Sequence, residues 1–252
     1  MEIFNLSGRV AVVTGGSKGM GFAIARTLGA AGATVIVSAR TQSAADDAAA
    51  LLRTEGIGAR GAVLDVTDPQ SVAAFSASAL EAFPRIDVLV LNAAANTSNG
   101  PLLSQQPEEL ATVMRDNVQA NLAIVNVIAP QMVERKYGSL IFMSSRAAKR
   151  GSPTLGLYAM AKAALDQYVR NLALELGPSN INVNSINPGP VRADFSRILW
   201  EDPNREAGIV AATPMRRLGE PADVAGLALL LASPAGHFIH GQNICVDGGM
   251  TA

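Results

Sequence analysis

Short apolar runs alternate with longer Ala- and Leu-rich segments along the whole chain. Most of the runs are continuously apolar, as is typical of parallel strands buried on both faces. The predicted strands are Arg9–Thr14, Ala33–Ser38, Gly61–Asp65, Asp87–Asn92, Ser139–Ser144, Asn182–Asn187 and Asn243–Val246. The predicted helices are Gly21–Ala31, Ser43–Glu55, Gln70–Phe83, Pro107–Arg135, Leu155–Leu176 and Pro221–Ala232. This alternation predicts the α/β fold class, with one doubly wound, parallel, seven-stranded sheet.

A chain of 252 residues is long enough for one large α/β domain. It has no linker rich in Pro, Gly or Ser and no internal repeat, so we expect a single domain over residues 1–252. The least regular stretch follows the sixth predicted strand, at the sheet edge where doubly wound folds bind ligands. We therefore predict a substrate lid at about residues 190–215.

Composition narrows the function classes. The formal net charge of −1 argues against a nucleic-acid or anionic-membrane surface, because both need a basic excess. Cys245 is the only cysteine, so a disulfide within the chain is impossible and a reducing compartment is expected. The first ten residues lack the basic and apolar regions of a secretory signal, and we expect a cytoplasmic protein.

A glycine-rich loop follows the first predicted strand and opens the first predicted helix. Its sequence is Thr14-Gly15-Gly16-Ser17-Lys18-Gly19-Met20-Gly21. Glycines allow a tight turn and a close approach to a pyrophosphate, which the free N–H groups of a helix N-terminus stabilise. The pattern TGxxxGxG in this position predicts a dinucleotide site, and the alternative is a glycine-rich turn without a ligand.

The end of the second strand distinguishes NAD from NADP. An acidic residue there accepts hydrogen bonds from the ribose 2′-OH, whereas an arginine pairs with a 2′-phosphate. This chain has Arg40 and no carboxylate at that point, with Lys18 in the glycine loop. Two cations suit a dianionic phosphate, so NADP(H) is predicted. Asp65 ends the third strand, where its carboxylate can accept from the adenine amino group; Asp68 before Pro69 is the better helix-cap candidate.

Three residues form a candidate acid–base group. Tyr158 and Lys162 are four apart on a predicted helix and share a face, and a nearby ammonium favours the phenolate. Ser145 ends a strand at the same sheet edge, where its hydroxyl can donate to a substrate oxygen. Strand alternation points the neighbouring Ser144 to the opposite face. A tyrosine so placed can give a proton to a carbonyl or take one from an alcohol.

Taken in order, these features resemble the short-chain dehydrogenase/reductase family over essentially the whole length. The matching motifs are Thr14–Gly21, Asp65, Asn92-Ala93-Ala94-Ala95, Asn117, Ser145, Tyr158-Ala159-Met160-Ala161-Lys162, Asn187-Pro188-Gly189 and Val246-Asp247-Gly248-Gly249. The resemblance implies a Rossmann-type sheet and an NADP-dependent enzyme of the alcohol dehydrogenase or carbonyl reductase kind. It also implies a homotetramer in which the two long apolar helices pair across a twofold axis.

The resemblance assigns roles to individual residues. Tyr158 would be the general acid/base, Ser145 would orient the substrate oxygen, and Lys162 would lower the tyrosine pKa and hold the nicotinamide ribose. Asn117, preferred over Asn121 on its spacing, would anchor a water that relays protons to Lys162. The cofactor-binding set is Gly15, Ser17, Lys18, Gly19, Met20, Gly21, Arg40, Asp65, Val66, Asn92, Tyr158, Lys162, Pro188, Gly189 and Val191.

Two positions depart from the family pattern. Ala95 stands where the family usually has glycine, and Ala193 where it often has threonine near the carboxamide. Both bear on how the nicotinamide amide is held. His237, His240 and Cys245 could be drawn as a metal triad, but no fourth ligand is evident and no metal is predicted.

The lid sequence bears on the substrate. Phe195, Ile198, Leu199 and Trp200 fall at helical spacing, which predicts a short amphipathic helix that either closes over the nicotinamide or packs on the core. The stretch resembles that of NADP-linked carbonyl and retinal reductases. Facing Leu155 and Leu157, it predicts a pocket for a hydrophobic ketone, aldehyde or secondary alcohol. The predicted substrate contacts are Ser145, Leu155, Tyr158, Phe195, Leu199 and Trp200.

Other functions remain open on this sequence. One is a 3-oxoacyl thioester reductase of the same family, and another is a non-catalytic NADP-binding protein on the same fold. The intact set Asn117, Ser145, Tyr158 and Lys162 disfavours the second. Dinucleotide-dependent epimerases and dehydratases are generally longer, with an added substrate domain.

Overall fold

A computed structural model describes residues 2–83, 85–95 and 100–252. Its centre is one parallel sheet with the strand order β3-β2-β1-β4-β5-β6-β7. The strands are β1 (Val10–Val13), β2 (Thr34–Ala39), β3 (Ala59–Val63), β4 (Val88–Leu91), β5 (Gly138–Met143), β6 (Ile181–Pro188) and β7 (Asn243–Val246). The chain adds strands towards one edge of the sheet from β1 to β3 and towards the other edge from β4 to β7. The predicted doubly wound α/β fold is therefore confirmed.

Helices cover both faces of the sheet. The helices of the described residues are α1 (Gly19–Ala30), α2 (Gln42–Thr54), α3 (Pro69–Ala82), α4 (Pro107–Met114), α5 (Ala120–Arg135), α6 (Gly156–Leu176), α7 (Arg197–Trp200), α8 (Pro203–Ala212) and α9 (Pro221–Ala232). Apolar side chains of α1, α2 and α9 form the core on one face, and those of α3, α5 and α6 form it on the other. Burial on both faces explains why β1, β4 and β5 read as continuous apolar runs.

Two predicted elements need correction. β3 begins and ends two residues earlier than predicted, because it is an edge strand whose half-exposed residues lack the apolar signal of the central strands. The predicted helix Pro107–Arg135 is two helices, α4 and α5, joined by a π-helical turn at Arg115–Gln119. The sequence on both sides of this single turn is helical, and the sequence pattern did not reveal the break.

The lid also differs from its prediction. A 3₁₀ turn at Asp194–Ser196 leads into the four-residue α7, so the apolar residues do not lie along one regular helix. The longer helix α8 follows and was missed. Its signal is nonetheless present: Asp202 caps it by accepting from the N–H groups of Asn204 and Arg205, and Pro203 occupies its first turn.

Among the described residues, no helix is both long enough and apolar enough to cross a membrane.

Candidate active site

The glycine loop connects β1 to α1 and is held by the ends of the neighbouring strands. The amide N–H of Gly15 donates to Ser38 Oγ at 3.0 Å, at the end of β2. The hydroxyl of Thr14 accepts from the main-chain N–H groups of Asn92 and Ala93 after β4, both at 2.9 Å. The Asn92 amide donates in return to the carbonyls of Thr14 and Gly15 at 3.0 Å. Asn92 therefore fixes the loop.

Several glycines of this loop are required by its geometry. Gly15 and Gly19 have φ angles of +62° and +56°, in the left-handed region that favours glycine. A Cβ at Gly21 would lie 2.2 Å from the Gly15 carbonyl oxygen, so α1 can pack against the turn only with glycine there. No side chain caps the N-terminus of α1. The loop therefore fits a pyrophosphate, which the N-terminal N–H groups of the helix would bind.

The two predicted phosphate-binding cations have different surroundings. Arg40 follows the last residue of β2 and is exposed, and its charge helps to lower the pKa of Asp65. Lys18 lies 3.2 Å from Asp194 of the lid, where the two make an exposed ion pair. The glycine loop and the lid are also neighbours at Gly19, where a Cβ would lie 3.4 Å from the Cβ of Ala193. The lid thus reaches the loop that is predicted to hold the cofactor.

Asp65 lies in the turn after β3. One of its carboxylate oxygens accepts from the N–H and the hydroxyl of Thr67, at 2.9 and 2.8 Å, and these bonds are the main cause of its lowered pKa. The carboxylate is therefore ionised and held in one orientation. Asp68 caps α3 by accepting from the N–H of Gln70, as predicted.

Ser145 and Tyr158 meet at the carboxyl end of the sheet. Ser145 lies two residues after the end of β5, and its Oγ accepts from the Ala147 N–H at 3.1 Å. The two predicted reacting groups are neighbours, close enough for Ser145 to lower the pKa of the Tyr158 hydroxyl by hydrogen bonding. Ser144 is buried, and its hydroxyl donates to the Lys162 carbonyl at 3.2 Å. The two serine hydroxyls therefore have separate partners, both on α6.

The electrostatics of Tyr158 differ from the expectation. Burial raises the pKa of Tyr158 to about 12, and the hydrogen bond with Ser145 only partly opposes this rise. The expected lowering by Lys162 is not the dominant effect. At neutral pH Tyr158 is a protonated acid, ready to donate to an oxygen placed beside Ser145.

Lys162 is buried, with 2% of its surface exposed, and its Nζ lies 5.6 Å from the centre of the Tyr158 ring. The ammonium donates to the Met143 carbonyl at 2.9 Å. Burial lowers the pKa of Lys162 to about 8, while Asp166, one turn further along α6, opposes that shift. Lys162 is therefore mostly charged at neutral pH and loses its proton in mild base.

Asn117 lies in the π-helical turn between α4 and α5. Its amide donates to the carbonyls of Ala95 and Val113, at 2.7 and 3.0 Å. Its Oδ1 is buried without a hydrogen-bond partner among the described residues. A buried acceptor of this kind suits the ordered water that the family resemblance implies. Asn121, the alternative position, donates to the main-chain carbonyl of Asn117 at 2.8 Å, and its Oδ1 is likewise buried without a partner among the described residues.

The lid residues are only partly as expected. Leu155 and Leu199 are half-buried, but Leu157 packs in a buried cluster with Val113 and Ala161 and does not face the lid. The indole of Trp200 donates to the Ala193 carbonyl at 3.2 Å. The side chain of Phe195 lies outside the described part of the structure.

Two guanidinium groups flank the Trp200 ring, a feature that sequence reasoning missed. Those of Arg192 and Arg197 lie 5.3 and 5.9 Å from its centre. Each is paired with nearby carboxylates: Arg192 with Glu206 of the lid and with Glu220 beyond it, and Arg197 with Asp194 of the lid. The positive charges beside Trp200 are therefore balanced by carboxylates. The lid is less apolar than predicted.

Elsewhere, His240 is engaged with the main chain on both ring nitrogens, with the Val183 N–H at 3.2 Å and the Ala173 carbonyl at 2.7 Å. It links α6 to β6. Over residues 2–83, 85–95 and 100–252, no group of three His, Cys, Asp or Glu residues is arranged to hold a metal ion.

A doubly wound sheet with an uncapped helix N-terminus at its glycine loop, beside a Ser–Tyr–Lys group, defines a dinucleotide-dependent oxidoreductase. Comparison with known proteins agrees. Residues 15–251 match a family model described as enoyl-(acyl carrier protein) reductase. Dehydrogenase/reductase SDR family member 4 of Bos taurus is 38% identical over 97% of this chain and 88% of its own length. The chain belongs to the short-chain dehydrogenase/reductase family.

Two solved structures are similar over nearly the whole chain. A gluconate 5-dehydrogenase from Burkholderia cenocepacia, in complex with NADP and tartrate, has a TM-score of 0.92 and 31% identity, covering 99% of this chain and 98% of its own. A 7α-hydroxysteroid dehydrogenase, in complex with NADH and a 7-oxo bile acid, has a TM-score of 0.93 and 33% identity, covering 98% and 96%. Relatives of similar fold thus use either cofactor.

Proposed function

We propose that this protein is an NADP(H)-dependent oxidoreductase that interconverts a hydrophobic ketone or aldehyde and the corresponding alcohol. The observation that carries the proposal is the grouping of Ser145, Tyr158 and Lys162, with the buried Lys162 ammonium 5.6 Å from the centre of the Tyr158 ring. In this arrangement Tyr158 gives its proton to the substrate oxygen, and Ser145 holds that oxygen. When bound, the nicotinamide supplies or accepts the hydride.

Lys162 supports Tyr158 in this scheme. Its ammonium lies close to the tyrosine ring and stabilises the negative charge that develops as the proton leaves. Asn117 would hold the water that renews the proton, through its unpartnered Oδ1. Among the cofactor contacts, the carboxylate of Asp65 and the turn at Pro188, Gly189 and Val191 are assigned to the adenine and the nicotinamide on the family resemblance.

The preference for NADP(H) rests on the end of β2. Ser38 joins this end to the glycine loop, and Arg40 stands two residues further on, where an NAD-specific site would have an acid. Arg40 is exposed and close enough to Asp65 to affect its pKa, so its guanidinium lies beside the predicted adenosine site. Lys18 is the second cation on the same side.

The preference for an uncharged substrate rests on the lid. Both guanidinium groups beside Trp200 are already paired with carboxylates, so they offer little attraction to a substrate carboxylate or phosphate. A 3-oxoacyl thioester is the second candidate, favoured by the family model that the chain matches. A hydroxy acid such as gluconate is the third, favoured by the structural neighbour.

One panel separates these candidates. The oxidation of NADPH or NADH is followed at the nicotinamide absorbance band with cyclohexanone, 4-nitrobenzaldehyde and acetoacetyl-CoA, and the reverse reaction with gluconate. We expect turnover with NADPH and the neutral carbonyls. Much faster turnover of acetoacetyl-CoA or gluconate would reassign the substrate. No turnover of any compound would favour a non-catalytic NADP-binding protein.

The proposal includes a homotetramer in the cytoplasm. Exposed apolar side chains on α5 and α6 support self-association through these two helices: Leu122, Val127, Met160 and Leu174. Sedimentation of a monomer at micromolar concentration would contradict the tetramer.

A further inference from the structure

Asp166 is a buried carboxylate that neither the sequence analysis nor the proposed mechanism uses. It lies on α6 one turn after Lys162, and only 2% of its surface is exposed. Removing a carboxylate from water costs several kcal/mol unless the ion is paired and hydrogen-bonded. The partners of Asp166 therefore indicate what it does.

The carboxylate joins three elements. Its Oδ1 accepts from the Ser185 hydroxyl at 3.0 Å and its Oδ2 from the Asn187 amide at 2.8 Å, both on β6. The ammonium of Lys149, from the segment after Ser145, lies 3.5 Å from Oδ2. Asn243 on β7 donates to Ser185 Oγ at 2.7 Å, so the Ser185 hydroxyl is free to donate its own hydrogen, for which Asp166 Oδ1 and Asn187 Oδ1 are both acceptors at 3.0 Å.

The Asn187 amide extends this network to the reacting residues. The same nitrogen that donates to Asp166 also donates to the main-chain carbonyl of Ser145 at 3.0 Å. An amide has two such hydrogens, so each bond takes one and the side chain has a single orientation. The carboxylate thus connects α6, which carries Tyr158 and Lys162, to the backbone of Ser145.

We propose that Asp166 is a positioning residue for the reaction: through Asn187 it fixes Ser145 relative to Tyr158 and Lys162. The inference rests on the proposed function, because it assigns Asp166 a role towards those three residues. A misplacement of about 1 Å in such a group can cost about 100-fold in rate, so a rigid connection between the two elements has catalytic value.

The charge of Asp166 affects the pKa of Lys162, so its removal should change the pH dependence of the reaction. Loss of a purely structural residue would leave that pH dependence unchanged. Lys162 faces Asp166 along α6, and Asp166 also faces Lys149 from the turn after β5; its partners on β6, Ser185 and Asn187, are uncharged. Burial already lowers the pKa of Lys162 to about 8, and the Asp166 charge opposes that shift. Without this charge the pKa of Lys162 falls further, so the ammonium is lost at lower pH.

The test is Asp166→Asn, which keeps the shape and removes the charge, assayed with NADPH and 4-nitrobenzaldehyde. We expect kcat to fall about 10-fold or more while the dissociation constant of NADPH changes less than about 3-fold. The alkaline limb of the pH–kcat/KM profile should move to lower pH by about one unit. Equal kcat and an unmoved limb would overturn the proposal.

Asp87→Asn is the matched control. Asp87 is as buried as Asp166 and is bonded by Arg85 and Arg135, but it precedes β4 at the opposite end of the sheet. Its substitution should lower the melting temperature without moving the alkaline limb. If both variants lose stability and neither changes the pH profile, Asp166 is structural only and the inference fails.

A second pair keeps the test decisive if Asp166→Asn does not fold. Ser185→Ala removes one hydrogen bond to Asp166, and Ser139→Ala removes a buried strand hydroxyl that donates to Leu231 far from the site. We expect kcat to fall about 2- to 5-fold in the first and to stay unchanged in the second; equal kcat in both overturns the proposal.

If Tyr158→Phe is fully active, the proposed function itself fails. If that variant is inactive while Asp166→Asn is unaffected, only the present inference fails.

Discussion

The catalytic wall and the lid differ in how exposed their polar side chains are. On the catalytic wall, formed by the ends of β5 and β6 and by α6, Lys162 and Asp166 are each 2% exposed and are hydrogen-bonded to neighbouring residues. On the lid, residues 190–215, the side chain of Asp194 is 46% exposed and that of its partner Lys18 is 69% exposed. The polar groups of the wall are buried and hydrogen-bonded, whereas the lid meets the glycine loop through an exposed ion pair.

This difference sets the size of effects that each side can have. Buried hydrogen bonds act in a low dielectric, so a broken one leaves an unpaired group at a large cost. Exposed ion pairs contribute about 0.2–1 kcal/mol each. Loss of a reacting group on the wall should therefore change the rate by orders of magnitude, and loss of a supporting hydrogen bond there by a smaller factor. Substitutions on the lid should change cofactor or substrate affinity by small factors.

The largest effect is expected for Tyr158→Phe on the wall. The change removes one hydroxyl and keeps the ring, so only the transferable proton is lost. Because positioned acid–base catalysis contributes about 10²–10⁴-fold, kcat should fall by that factor while NADPH affinity, measured by fluorescence titration, stays nearly the same. A variant with near-normal kcat would show that another group supplies the proton.

The next largest effect is expected for Arg40. This residue is exposed, but its proposed partner is a phosphate dianion, so its loss should cost more than the loss of an ordinary exposed ion pair. A charge-assisted bond to a phosphate is worth about 1.5–3 kcal/mol, so Arg40→Ala should raise the Michaelis constant for NADPH roughly 10-fold or more. The constant for NADH, which lacks the phosphate, should scarcely change. Equal efficiency with both cofactors in the unmutated enzyme would refute the cofactor assignment.

The sequence predicted the wall better than the lid, for a physical reason. Gly15, Ser145, Tyr158 and Lys162 stand at strand ends and on one helix face, and parallel strands bring their carboxyl ends together whatever the details of the loops. The π-helical turn around Asn117 lies between two helical segments and was missed, although Asn117 itself was identified.

Long-range polar contacts could not be predicted from the sequence. Asp166 bonds to residues of β6 about 20 positions away, and no local pattern marks a buried carboxylate with such partners. On the lid, the Trp200 environment depends on how Arg192 and Arg197 pair with carboxylates, which periodicity does not encode. Helix α8, by contrast, carried the readable signal Asp202-Pro203.

Trp200→Ala tests the substrate side of the lid. Loss of the indole should raise the Michaelis constant for 4-nitrobenzaldehyde about 3- to 5-fold more than that for acetone, because only the larger substrate reaches the lid. Ile198→Ala is the control, since Ile198 stands on the same short helix with 61% of its surface exposed. If bulky and small carbonyls respond alike to Trp200→Ala, this residue does not line the pocket.

The smallest effect is expected at the contact between lid and glycine loop, for Asp194→Asn. The hydrogen bond from Lys18 holds the pKa of Asp194 below its usual value, so this carboxylate is ionised at neutral pH. It would therefore compete with the 2′-phosphate of the proposed cofactor for the Lys18 ammonium. Because an exposed pair contributes less than about 1 kcal/mol, its removal should tighten NADPH binding by about 2-fold and leave NADH binding unchanged. Glu201→Gln, on the same lid, controls for the loss of a negative charge. Salt should shrink the difference, since it screens exposed charges. If Asp194→Asn tightens NADPH and NADH binding equally, the pair governs closure of the lid, and Lys18 does not contact the phosphate.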